Sequence, residues 1–101
     1  MKPVADDVNS LIRKIIVKKD PVLAEIIMNW AKIVGLKFSN NSSPFKISKS
    51  RENSFKINVL YIHVINSAIS MEMSFQQDVI IERIIVYLGF KAIDKLRLVI
   101  N

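Results

Sequence analysis

Side chains able to do chemistry are few in this 101-residue chain. His63 is the only histidine, and there is no cysteine, which removes thiolate nucleophiles, disulfides and thiolate metal sites. A catalytic histidine needs a carboxylate or hydroxyl partner to orient it. Nothing near His63 in sequence supplies one, so it reads as a packed or half-exposed structural residue. The carboxylates are scattered, and those at expected helix starts, Asp6, Asp7 and Asp20, are better explained as caps than as acids. Gly35 and Gly89, the only two glycines, stand too far apart to build a phosphate-cradling turn. The residues therefore predict no enzyme, no catalytic or metal site, no cofactor and no small-molecule substrate.

What remains is charge. Fifteen Lys and Arg against nine Asp and Glu leave a formal +6, which favours anionic partners. Residues 1–58 hold eleven basic and five acidic side chains, residues 59–101 four of each, so the whole excess sits in the first half. Lys46, Lys49, Arg51 and Lys56 fall on one predicted hairpin. Arg13, Lys14, Lys18 and Lys19 form a second cluster, with Lys32 and Lys37 near a later helix end. Such clusters can neutralise phosphates and give salt-sensitive nucleic-acid binding. The competing reading is a solvated basic face with no partner. Phe45, Phe55 and Tyr61 alternate in the same strands and could stack bases, but that spacing serves a core as well, and the core is the expectation.

The elements that must position these residues follow from periodicity. Residues 7–18 place Val8, Leu11, Ile12, Ile15 and Ile16 at helical spacing, predicting a short amphipathic helix. Asp20 as cap, Pro21 at the first helical position and the stripe Leu23, Ile26, Ile27, Trp30 and Val34 predict a second helix, ended by Gly35 in the left-handed cap conformation. Residues 36–43, a run of polar turn formers, read as a loop. From Pro44 the period becomes two, with Phe45 and Ile47 alternating in one strand and Phe55, Ile57, Val59 and Tyr61 in the next. "KSRENS" lacks a tight-turn dipeptide and predicts a connection of four or more residues. Leu60 and Ile62 make the second strand apolar on both faces, which predicts a central position. Ala68, Met71, Phe75 and Val79, then Ile80, Ile81, Ile84, Ile85 and Leu88, thread one long helix kinked near Ser74 and capped by Gly89. Leu96, Leu98 and Ile100 alternate in a closing strand. The expected fold is α+β, order α-α-β-β-α-β: a single domain over 1–101 with a three-stranded sheet and helices packed on one face. No apolar run is long enough to span a membrane, and the N-terminus lacks a signal-peptide core, so a soluble cytoplasmic protein is expected.

Trp30 in an amphipathic helix, Val34-Gly35 after it, Pro44 opening a strand, "LYIHV", "NSAISMEM" before a long helix, and "YLG" before a terminal strand together resemble the bacterial DciA-like family. The resemblance runs from about Pro21 to Ile100. It implies a K homology-like domain, a partner in the replicative DNA helicase, contact with single-stranded or forked DNA, association with the nucleoid, and a role in helicase loading. Trp30, Gly35, Pro44 and Gly89 match scaffold positions of the family. Ile69 stands where the family usually has tryptophan, and Asn41 or Ser42 where it usually has histidine. A glycine turn is replaced by "KSRENS", and the Gly-x-x-Gly loop with which K homology domains clamp RNA is missing. The C-terminal extension through which relatives contribute to helicase contact does not follow Asn101, which puts full loading activity in question. The alternatives are a general nucleic-acid-binding module without a helicase partner and a structural interaction domain.

Overall fold

The computed structural model describes residues 20–100. The expected N-terminal helix over residues 7–18, with Arg13, Lys14, Lys18 and Lys19, lies outside them.

Helix α1 (Pro21–Met28) starts as its sequence dictates: the Asp20 carboxylate accepts from the Leu23 amide at 3.0 Å, and Pro21 needs no amide partner. The single helix expected to run to Val34 is instead two. Asn29 leaves helical geometry at φ −113° and ψ 14°, and its side-chain amide donates back to the Glu25 carbonyl and carboxylate. Helix α2 (Trp30–Val34) follows directly. Asn is prone to such local side-chain bonds, which compete with the helix ladder. The apolar stripe survives the break: Leu23, Ile26, Trp30 and Val34 are buried, Ile27 is half-buried against the core, and Ile33, outside the expected stripe, is buried as well.

Gly35 ends α2 at φ 88° and ψ 163°, a region essentially reserved for glycine but not the left-handed cap that was expected. Residues 36–43 are also not a loop throughout. A single-turn helix, α3 (Leu36–Ser39), is held by burial of Phe38, and strand β1 (Ser42–Glu52) begins two residues before Pro44.

Strand β1 pairs antiparallel with β2 (Phe55–Val64), and β2 pairs parallel with β3 (Lys95–Ile100), giving a mixed sheet of order β1-β2-β3. β2 is central, as its doubly apolar sequence requires, with Val59 and Leu60 both buried. The connection between β1 and β2 is shorter than expected. Asn53 and Ser54 form a two-residue turn with φ of 51° and 71°, the geometry whose twist suits a hairpin. Asn tolerates positive φ through its short polar side chain, so the turn forms without glycine.

The expected long second-half helix divides at Gln76 into α4 (Ser67–Phe75), capped by the Asn66 side chain on the Ile69 amide, and α5 (Gln77–Leu88), ended by Gly89 at φ 85° and ψ 3°. The buried face of α4 differs from the one expected: Ile69 and Met73 are buried, in phase with Ile80 and Ile84 beyond the break, whereas Met71 and Phe75, expected inside, are exposed. In α5 the expected Ile80 and Ile84 are fully buried. β3 is seated by a reciprocal pair, in which the Asp94 amide donates to the Asn58 carbonyl at 2.9 Å and the Asn58 amide to the Asp94 carboxylate at 2.8 Å. The core lies between the helices and one sheet face, where Leu60, Ile62, Val64 and Leu96 meet Ile26, Trp30, Met73, Ile80 and Ile84. The other face carries no helix among the described residues.

Candidate nucleic-acid interface

The tight Asn53-Ser54 turn fixes the hairpin register, and the register sets the electrostatics of its tip. Arg51 pairs directly with Lys56, and Lys49 with Asn58, two positions along on the same face. Every residue from Lys49 to Lys56 is exposed. Like charges directly opposite each other in an antiparallel pair repel. Glu52, the acidic residue of the hairpin tip, points to the opposite face, where it pairs with Lys95 at 3.4 Å, and Asp20, which lines a groove with Lys49, makes no ion pair with it. Lys49, Arg51 and Lys56 thus form a cationic patch in which no member is ion-paired with another described residue.

Lys46 is not part of it. Between Pro44 and Lys46 the register slips by one residue, so Phe45 is a bulge and two β1 residues oppose Tyr61. Pro44 stays buried toward the helices, while Phe45 and Lys46 both turn to the open face. There the Phe45 ring stacks on His63 with centroids 3.8 Å apart and planes 16° apart, and meets Tyr61 edge-on at 6.1 Å. The Lys46 Nζ sits 4.6 Å over the Tyr61 ring, a cation–π contact. Arg97 of β3 is the other neighbour of Tyr61, in register across the β2–β3 pair, and is exposed.

The four hairpin cations therefore divide into two sites on opposite faces. The expectation that Phe45, Phe55 and Tyr61 serve the core is overturned. Phe45 is 38% exposed and Phe55 73%, and Tyr61 is half-buried on the face opposite the described helices. Period two specifies that alternate residues share a face but not which face is covered, and the bulge breaks the alternation of Phe45 with Ile47. His63 is half-buried against Phe45, in line with a structural role, and its Nδ1 is buried without a hydrogen-bond partner among the described residues. Arg97 was missed because its place beside Tyr61 depends on parallel pairing of strands over thirty residues apart. Of the other basic residues, Lys37 is ion-paired with Glu72 on the helical side. No group of three or more His, Cys, Asp or Glu among the described residues is arranged to hold a metal ion.

The scaffold that holds these residues also carries a sequence signature. A family model described as "Dna[CI] antecedent, DciA" matches residues 3–98. The chain belongs to the DciA family. An uncharacterized protein of Rickettsia prowazekii (strain Madrid E) is 41% identical over 96 residues, covering 95% of this chain and 89% of that protein. In this DciA family member, the positions that carry the likeness are structural. Trp30 is buried and donates its indole N–H to the Ser42 hydroxyl at 3.1 Å, and that hydroxyl donates to the Phe38 carbonyl. Gly35 and Gly89 both have positive φ, and Pro44 is the residue before the bulge. Of the two residues expected at the family's histidine position, Ser42 is the one bonded to Trp30. No helix among the described residues is long and apolar enough to cross a membrane.

Proposed function

We propose that this chain is a non-enzymatic accessory factor that binds the replicative DNA helicase and single-stranded or forked DNA, and assists loading of the helicase in DNA replication. Membership of the DciA family is the observation that carries the helicase part of this reading. The patch of Lys49, Arg51 and Lys56, which has no ion pair among the described residues, supports the DNA part, since cross-strand repulsion is relieved when a phosphate lies between the cations. The mixed three-stranded sheet, with helical segments before β1 and between β2 and β3, is in keeping with a K homology-like domain. Without a Gly-x-x-Gly loop, however, backbone clamping in the manner of RNA-binding relatives of that fold is not part of the reading.

The mechanism is positioning. A factor with higher affinity for a helicase conformation open to single-stranded DNA shifts the helicase toward that conformation, by no more than its difference in affinity for the two states, and consumes no nucleotide. Cations on the hairpin tip would hold the strand near the opening. Such a factor works in the cytoplasm, at the nucleoid.

The test is loading of the cognate helicase onto closed circular single-stranded DNA, with and without the protein, and with a Lys49→Ala, Arg51→Ala, Lys56→Ala variant. The expected result is faster loading with the wild-type protein and a clear loss with the variant. Loading that is indifferent to the protein refutes the accessory role. DNA binding without capture of the helicase points instead to a general nucleic-acid-binding module.

A further inference from the structure

We infer that the sheet face opposite the described helices is a stacking site for unpaired DNA bases, centred on Phe45 and flanked by Lys46 and Arg97. The inference rests on the DNA-binding reading above and adds a site distinct from the hairpin tip, on the opposite face.

Three observations carry it. First, the bulge at Phe45 turns two consecutive residues, one aromatic and one cationic, to the same side of the sheet, which regular alternation forbids. A bulge at an edge strand re-aims a side chain, and here it brings Phe45 out of line with the buried Pro44 and onto His63. Second, the three rings are already ordered against one another. Phe45 and His63 are stacked at 3.8 Å, and Tyr61 holds Phe45 edge-on while Lys46 covers its own ring. Phe45 nevertheless keeps 38% of its surface exposed, so a π surface held by its neighbours is presented to solvent at little further ordering cost. Third, the charge complements a nucleic-acid strand. Lys46 and Arg97 lie on either side of Tyr61, and neither is ion-paired with a described carboxylate, while Glu52, at the tip end of this face, is occupied by Lys95.

Aromatic rings beside unpaired cations are the combination that holds single strands without sequence preference, since every base has a π face and every nucleotide a phosphate. A duplex offers the phosphates but keeps its base faces stacked inside. The site is therefore specific for unpaired DNA, whereas the cations of the hairpin tip do not discriminate.

The experiment compares binding, by fluorescence anisotropy at low salt, of a labelled oligothymidine, an abasic oligomer of the same length and a blunt duplex. The proteins are the wild type, Phe45→Leu and the Lys49→Ala, Arg51→Ala, Lys56→Ala variant, each checked for folding by the emission of Trp30. The wild type is expected to bind oligothymidine at least about fivefold more tightly than the abasic strand. Phe45→Leu should abolish that preference while leaving abasic and duplex affinities unchanged, and the tip variant should weaken all three ligands alike. Equal wild-type affinity for the oligothymidine and abasic strands overturns the stacking site, and this comparison needs no variant to fold. A preference that survives in folded Phe45→Leu also overturns it. If Phe45→Leu leaves every DNA affinity unchanged but loses helicase capture, the face belongs to a protein partner and the inference fails. No binding of the wild type to any of the three ligands refutes the DNA reading itself, a result distinguishable from failure of the stacking site alone.

Discussion

Ser42 shows how much one hydroxyl can organise. It accepts from the Trp30 indole and donates to the Phe38 carbonyl, tying α2, α3 and the first residue of β1 together at the edge of the core. Removing it leaves a partly buried indole N–H without a partner, a loss of the kind that costs about 1–3 kcal/mol. Ser42→Ala is therefore expected to lower stability by that amount, read from urea denaturation with Trp30 emission as the probe, and a loss below about 0.5 kcal/mol would show that water replaces the bond. At Gly35 the backbone itself is decisive. A Cβ at this position meets nothing within 4 Å, yet its backbone stands at φ 88° and ψ 163°. Gly35→Ala is expected to cost about 1–3 kcal/mol from backbone strain alone, with no steric contact to relax.

At the scale of elements, the sequence is most legible where a local signal and burial agree. Asp20 and Pro21 start α1, Gly89 takes the left-handed conformation after α5, and Leu60 and Ile62 mark β2 as central. It is least legible where apolar residues stand on more than one face of a helix or where a helix is interrupted without losing its stripe. Asn29 and Gln76 each divide a helix whose apolar periodicity continues across the break, and in α4 the buried face is that of Ile69 and Met73 rather than that of Met71 and Phe75. The candidate site was half legible. Alternation alone puts Lys49 and Arg51 on one face and Lys46 on the other, whereas the hairpin register that sets Lys56 opposite Arg51, and the bulge that turns Phe45 to the side of Lys46, depend on strand pairing. The Asn53-Ser54 turn, read as too poor in glycine to be tight, is held in its conformation by the strands on either side. Ser54→Gly would place a glycine at φ 71° and is expected to raise stability by up to about 1 kcal/mol without changing the register. A fall in melting temperature would mean that the Ser54 side chain contributes something the backbone does not.

At the scale of the whole molecule, helices on one face and none described on the other give two surfaces with different electrostatics. One carries Lys49, Arg51 and Lys56 at the hairpin tip, and the other a set of rings between Lys46 and Arg97 with the Glu52–Lys95 pair at its tip end. Because each cation that meets a phosphate releases counterions, the tip variant lacking Lys49, Arg51 and Lys56 is expected to reduce the slope of log affinity against log salt on single-stranded DNA by about 2. An unchanged slope in a folded variant would show that the strand does not reach the tip. The bulge at Phe45 has a consequence for deletion tolerance as well. Since Pro44 pairs with Ile62 and Lys46 with Tyr61, the residues on either side of Phe45 already occupy adjacent rungs. Loss of that one codon would close the strand into regular pairing and move no other residue to a new face. Phe45 is thus the one residue of β1 whose deletion the strand pairing accommodates without re-facing the core or the tip.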